Sequence, residues 1–116
     1  MSMDVDLVAS REVEAPPAGE VGVLKALAEP LRAHIVALLA DEELCVCHLV
    51  EALEVDQPLV SHHLRVLREA GVVTSERYRY WTYYRLVPEV IEGPARRLAA
   101  LGAAARAVDG RRRPCC

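Results

Sequence analysis

The chain has 116 residues, 53% of them hydrophobic, and a formal net charge of −3. A chain of this length forms a single domain with a modest core, and its apolar runs are far shorter than the roughly 18 residues of a membrane span. Residues 1–6 carry acidic side chains where a secretory signal has basic ones, so we expect a cytoplasmic protein without a membrane partner.

Positive charge is concentrated in the second half of the chain. Residues 57–86 hold five arginines against Glu69 and Glu76, and residues 88–116 hold six arginines against three acidic residues. The small negative net charge is therefore compatible with a nucleic-acid partner, because a local basic surface attracts phosphates.

The first part of the chain predicts an arm followed by two helices. Residues 1–19 have no helical or strand period and end in an Ala-Pro-Pro-Ala-Gly run, which is typical of a flexible N-terminal arm. Apolar residues between positions 21 and 28 follow helical spacing, and Pro30 starts a second helix that runs to about Ala40.

A helix-turn-helix pair is predicted next. A short helical segment covers residues 44–53, and Asp56 is a good N-cap for a helix that runs to Ala70 and stops at Gly71. The apolar side of this second helix buries Leu59 or Val60, together with Leu64 and Leu67, by its helical spacing.

The remaining residues predict a β-hairpin and one more helix. Residues 72–74 and 81–86 are rich in β-branched and aromatic residues, and the polar stretch 75–79 connects them as a two-stranded wing. Pro88 opens an alanine-rich last helix that is the candidate dimer surface. The predicted fold is therefore α+β but mainly α, a winged helix-turn-helix domain over residues 20–108 with a flexible basic tail over 109–116.

The exposed side of the second helix of the pair predicts contacts with double-stranded DNA. A recognition helix places its N-terminal residues deepest in the major groove, so base contacts are predicted for Gln57, Ser61 and His62. Contacts with phosphates or base edges are predicted for Arg65 and Arg68, and from the wing for Arg77 and Arg79.

The five aromatic residues all lie between Tyr78 and Tyr84, interleaved with arginines. Such a pattern also occurs where single-stranded bases stack. Packing is the stronger interpretation, because a domain without phenylalanine needs Trp81, Tyr83 and Tyr84 to cover its helices. His63 is predicted to pack inside the domain and His34 to lie at or near the surface, neither of them as a metal ligand.

Several motifs occur in one order and at one spacing. They are Glu43-Leu44-Cys45-Val46-Cys47, Gln57-Pro58, Ser61-His62-His63-Leu64, Ala70-Gly71, and Trp81 with Tyr83-Tyr84. Over residues 21–105 the chain thereby resembles the ArsR/SmtB family of metalloregulatory repressors. The resemblance implies a winged-helix homodimer that binds operator DNA and leaves it when an inducer binds, with the first and last helices forming the dimer interface.

The four cysteines lie in two pairs, Cys45 with Cys47 and Cys115 with Cys116. In mid-helix, thiols two residues apart point roughly 200° apart. At the start of a helix, however, the backbone can unwind and the positive end of the dipole favours the thiolate. Thiolates select soft ions, so As(III), Sb(III), Cd, Pb and Zn are the candidate inducers. Because the Glu43–Cys47 motif resembles that of the arsenic- and cadmium-type members of the family, the resemblance implies As(III) or Sb(III) first, with Cd, Pb or Zn as the alternative.

The resemblance also implies a third ligand. Arsenic sensors with this motif carry a third cysteine three residues after the second, a position that Val50 occupies here. Cys115 or Cys116, from the same or the partner subunit, is the predicted substitute, ahead of His48.

Other functions remain open at this point. The thiols could form a redox switch in a DNA-binding repressor, resolved by a tail cysteine. Cys45 and Cys47 could also be small buried hydrophobic residues, and Cys115 and Cys116 an inert end, in a DNA-binding protein without a ligand. A thiol enzyme or a metal carrier is disfavoured, because no nucleophile, base and orienting group occur together and no glycine-rich phosphate loop is present.

Overall fold

The computed structural model describes residues 15–108 and 110–115. The predicted arm up to residue 14 and the tail residues Asp109 and Cys116 lie outside this part of the chain. The fold is mainly helical with a small antiparallel sheet, as predicted. In chain order its elements are α1 (Ala18–Leu27), α2 (Pro30–Leu39), β1 (Leu44–Cys45), α3 (Val46–Leu53), α4 (Gln57–Glu69), β2 (Val73–Tyr78), β3 (Trp81–Leu86) and α5 (Pro88–Arg106).

The helix ends follow local chemistry. Pro30 is the first residue of α2, where its missing N–H costs nothing, and the Glu29 carboxylate before it accepts a hydrogen bond of 3.0 Å from the Arg32 N–H. Gly71 follows α4 with φ 81°, a left-handed conformation that suits glycine and turns the chain into the sheet. Pro88 begins α5 in the same way that Pro30 begins α2.

The sheet differs from the predicted two-stranded wing in two respects. Strand β2 continues through the polar stretch to Tyr78, so that only Arg79 and Tyr80 form the turn. Glu76, Arg77 and Tyr78 are all exposed at this end of β2, and an antiparallel strand that is open to water accepts polar residues.

The second difference is a third strand. Leu44 and Cys45, predicted as helical, pair with Tyr84 and Tyr83, and the strand order is β1-β3-β2. The outer edge of β3 offers unpaired backbone groups, and these two residues satisfy them before α3 begins.

The core lies between the first four helices and the start of the sheet. Burying each large side chain there contributes about 1.5–3 kcal/mol and fixes α4 against the other helices. In α4 it is Val60 rather than Leu59 that is buried. Tyr84 packs against this core and Tyr83 is half-buried, in line with the predicted packing. The prediction that Trp81 also packs inside is wrong, because Trp81 lies at the exposed end of the hairpin. The largest fully buried side chains are Ile35, Leu49, Leu64, Leu67, Val60 and Val72.

Helix α5 packs on α1 only through its first half. Pro94 is buried there, and the Arg97 Nε donates a hydrogen bond of 2.6 Å to the Glu20 carboxylate of α1. Farther along, Leu98 and Leu101 are 52% and 56% exposed. Among the described residues, no helix is both long enough and apolar enough to cross a membrane.

Candidate DNA-binding surface and thiol site

Helix α4 presents a polar face to solvent and an apolar face to the core. Val60, Leu64 and Leu67 are buried on one side, which fixes the rotation of the helix. All five α4 residues predicted to contact DNA are exposed on the other side, and we call them the reading face. They are Gln57, Ser61, His62, Arg65 and Arg68.

The reading face is continuous with the hairpin. The Arg68 guanidinium lies 3.4 Å from the Ser75 hydroxyl of β2, to which it donates a hydrogen bond. Within α4 the Arg65 guanidinium lies 3.4 Å from the Nδ1 atom of His62. Arg77 and Arg79 are exposed on the same hairpin that Arg68 contacts, and their contacts with phosphates stay a prediction.

Beneath the reading face, the buried His63 is held by a contact that sequence reasoning missed. The Arg32 guanidinium lies 3.1 Å from His63 Nδ1, and its Nε donates a hydrogen bond of 2.6 Å to the Ala26 carbonyl at the end of α1. Arginine only donates, so Nδ1 accepts and the proton of the neutral ring lies on Nε2, 3.9 Å from the Glu29 carboxylate. One guanidinium thus joins α1, α2 and α4.

The electrostatics of this contact favour neutral His63. Burial lowers the pKa of His63 below its ordinary value, and Glu29 opposes this shift only in part. The hydrogen bond from the Arg32 backbone lowers the pKa of the Glu29 carboxyl in turn. The sequence offered little to predict the contact between Arg32 and His63. Helical periodicity places Arg32 in the first turn of α2, but it does not show which side chain reaches a buried histidine.

The thiol site, Cys45 and Cys47, lies where β1 turns into α3. Cys45 is buried as the N-cap of α3, and Cys47 is exposed on its first turn. The Nδ1 atom of His48 lies 3.3 Å from the Cys45 sulfur and accepts a hydrogen bond of 3.2 Å from the Cys45 backbone N–H. His48 closes the first turn of α3 against the residue that caps it.

The cysteine pair is also linked to the wing. Cys45 is the register partner of Tyr83 in β3, and the His48 ring meets the Tyr83 ring edge-on with 6.4 Å between the centroids. The thiol site is therefore in contact with β3 as well as with α3. The sequence pattern did not show this link, because a two-residue strand has no recognisable period.

Among the residues that the structure describes, the predicted cysteine ligands are not gathered into one site. Within residues 15–108 and 110–115, no three histidine, cysteine or acidic side chains are grouped as a metal site. Cys115 is free and exposed, and Cys116 lies outside the described residues. The ligand set therefore stays a prediction, with two soft donors present at the start of α3.

Comparison with known proteins decides the family. Residues 29–75 match the family described as bacterial regulatory protein, arsR family. The uncharacterized HTH-type transcriptional regulator MJ1325 of Methanocaldococcus jannaschii is 35% identical over 71 residues, which cover 60% of this chain and 80% of that protein. This chain belongs to the arsR family.

Two further similarities extend this result. The arsenic resistance transcriptional regulator ArsR1 of Pseudomonas putida is 51% identical over 81 residues, 69% of this chain but only 60% of that relative. A solved structure described as a possible transcriptional regulator for arsenical resistance superposes with a TM-score of 0.65 and 31% identity, over 79% of this chain and 98% of that one. The predicted ArsR/SmtB resemblance and winged-helix fold are confirmed, and the family and these relatives are transcriptional regulators, not enzymes.

Proposed function

We propose that this arsR-family chain is a homodimeric transcriptional repressor that binds operator DNA and releases it when a thiophilic inducer, As(III) or Sb(III), binds Cys45 and Cys47. The observation that carries the proposal is the position of the thiol site. It occupies the first turn of the helix that precedes the reading face, and its backbone pairs with the wing. The proposed working unit is residues 20–108, with residues 109–116 as a tail that carries a ligand.

The DNA-binding part rests on the chemistry of the reading face. Gln57, Ser61 and His62 are exposed over the N-terminal two turns of α4, where a recognition helix enters the major groove. Arg65 and Arg68 continue along the same helix, and Arg77 and Arg79 lie on the hairpin. Hydrogen-bonding side chains near the helix start and arginines around them suit base edges and phosphates respectively.

The inducer follows from the donor atoms and from the relatives. Sulfur ligands suit soft ions and exclude magnesium and calcium. The name of the Pseudomonas putida relative includes arsenic resistance, and the solved structure at 31% identity is described with arsenical resistance. Both similarities favour a trivalent metalloid over cadmium, lead or zinc.

Release follows from the geometry of the two sulfurs. Cys45 is buried at the cap and Cys47 is exposed on the helix, so an ion that binds both sulfurs is proposed to unwind the first turn of α3. Unwinding breaks the contact of His48 with Cys45 and loosens the pairing of β1 with β3. Inducer binding then alters both the helix before α4 and the wing beside it.

A third donor completes the site in this proposal. Cys115 or Cys116, from the same or the partner subunit, supplies a third sulfur. His48 is the competing donor, because its Nδ1 already lies 3.3 Å from the Cys45 sulfur. An additional nitrogen ligand would shift selectivity towards zinc or cadmium.

The dimer is proposed to form through α1 and α5. Leu98 and Leu101 project from the second half of α5, which has alanines on both sides of Gly102. An exposed apolar face with small residues allows another helix to approach closely.

The test is release of reduced protein from an operator fragment, with arsenite, antimonite, cadmium, lead, zinc and peroxide titrated separately. Cys45→Ser and Cys47→Ser are expected to bind DNA and to lose the response to arsenite. The double variant Cys115→Ser/Cys116→Ser and, separately, His48→Ala identify the third ligand by which of them weakens the response.

Four outcomes contradict parts of the proposal. Loss of DNA binding by the untreated cysteine variants would show that the thiols serve the fold. Release by peroxide alone would make the site a redox switch, and release by cadmium or zinc alone would change the inducer. No release by any agent would leave a DNA-binding protein without this mode of induction.

A further inference from the structure

A groove lies between α3 and the start of α4, next to Cys47. It has a volume of about 440 Å³, within the roughly 300–1,000 Å³ of small-molecule sites. Its walls are formed by Val46, Cys47, Val50, Glu51 and Gln57. Val46 and Val50 are half-buried, whereas the other three residues are exposed. The exposed thiol therefore shares a groove with an apolar wall and a polar margin.

The residue beside Cys47 one turn along α3 is Val50. Side chains three residues apart lie on one face of a helix, and both residues line the groove. Valine offers methyl groups, which neither bind a metalloid nor accept a hydrogen bond. Among residues 15–108 and 110–115, no three histidine, cysteine or acidic side chains are grouped as a metal site. At the position next to Cys47, the groove therefore presents hydrocarbon and not a third sulfur or nitrogen.

Trivalent arsenic forms three bonds, so two cysteine sulfurs leave one position for a further group. In bound arsenite this group is a hydroxyl, and placing it against valine methyls without a hydrogen bond is unfavourable. In a monosubstituted organic arsenical, R–As(OH)₂, it is a carbon substituent, which gains from leaving water. Reaction with two thiols breaks both As–O bonds, forms two As–S bonds and releases two water molecules that carry the two thiol protons. Arsenic stays trivalent, and no oxidant or reductant is required.

We propose that Cys45 and Cys47 bind monosubstituted organic arsenicals of trivalent arsenic through two sulfurs, with the organic group held in this groove. The inference rests on the proposed function, because it takes the same two thiols as the inducer site. Arsenite still requires the third donor, whereas the organic arsenical binds without Cys115 and Cys116.

The groove also connects this ligand to the reading face. Gln57 forms one of its walls and is the first residue of α4, where contacts with bases are proposed. Val50 and Glu51 belong to the second turn of α3, so unwinding of the first turn alone leaves this part of the wall helical. An organic group bound here therefore contacts a residue of the reading face directly.

The test compares phenylarsine oxide with arsenite on the full-length, reduced variant Cys115→Ser/Cys116→Ser, which keeps Cys45 and Cys47 as its two thiols. Intact-protein mass spectrometry is expected to detect one phenylarsenic group per chain, with loss of both thiol hydrogens. For each agent, the concentration for half-saturation is divided by the value for free dithiothreitol, which removes the intrinsic difference between the two agents. The protein is expected to favour phenylarsine oxide by about tenfold beyond dithiothreitol, because the ring leaves water.

Val50→Thr tests the apolar wall, and Val36→Thr is the matched control. Both valines are half-buried on a helix and pack against the core, but Val36 lies on α2, outside the groove. Val50→Thr places a hydroxyl in the wall and is expected to lower the preference for phenylarsine oxide about three- to tenfold, whereas Val36→Thr keeps it. A merely structural effect of either substitution would weaken the binding of both agents alike and leave the preference unchanged.

The inference alone is overturned if arsenite binds but the preference equals that of dithiothreitol, or if the two threonine variants show the same preference. Failure of phenylarsine oxide to bind the variant without tail cysteines would overturn it as well. Binding of neither agent by the wild-type protein would overturn the proposed function together with this inference. Failure of the wild-type protein to select any duplex from a random-sequence pool would overturn the DNA-binding part of the proposed function, while mass spectrometry still decides on the groove.

Discussion

Arg32→Met removes two hydrogen bonds that join three helices. The guanidinium holds the Ala26 carbonyl of α1 and Nδ1 of the buried His63 in α4, at 2.6 and 3.1 Å. A hydrogen bond with a charged donor contributes about 1.5–3 kcal/mol, and the variant leaves a buried acceptor unpaired, whereas the methionine stem keeps most of the packing. We expect the free energy of unfolding to fall by about 2–4 kcal/mol.

The assay is thermal and urea unfolding of the reduced protein, at a fixed protein concentration because a dimer is proposed. For a domain of this size each 1 kcal/mol lowers the Tm by about 4–8 °C, so a decrease of at least about 8 °C is expected. Arg65→Met is the matched control, because Arg65 is exposed on α4 and its side chain makes, among the described residues, one hydrogen-bond contact, with His62 at 3.4 Å. Its effect should stay within about 0.5 kcal/mol. Equal urea midpoints for the two variants would refute the role assigned to Arg32.

Two further predictions concern acid and assembly. Burial lowers the pKa of His63 from 6.5, so as the pH falls below that value the unfolded chain takes up a proton first. The free energy of unfolding should stay constant above pH 6.5 and fall below it, by at most about 1.4 kcal/mol per pH unit. Urea titrations at several pH values should show a weaker dependence of this free energy on pH for His63→Gln. Leu98→Glu/Leu101→Glu should yield monomers in analytical ultracentrifugation with the α-helical circular dichroism retained, and an unchanged sedimentation coefficient would contradict dimerisation through α5.

Much of the helical framework was predictable because its signals are local. Pro30, Pro58 and Pro88 each fall in the first turn of a helix, and Gly71 follows the end of α4 with a positive φ. Helical spacing likewise predicted which face of α4 is exposed. The choice between Leu59 and Val60 stayed open until the neighbours of α4 were known.

The amino-acid sequence by itself determined the starts of α2, α4 and α5, which face of α4 is exposed, and the position of two thiols near a helix N-terminus. These depend on backbone dihedrals and on a period of 3.6 residues, which neighbouring residues along the chain control. The tertiary structure alone decided the pairing of Cys45 with Tyr83, the contact of Arg32 with His63, and the exposure of Trp81. Each of these depends on segments distant in sequence that meet only after the helices pack, so no local pattern specifies them.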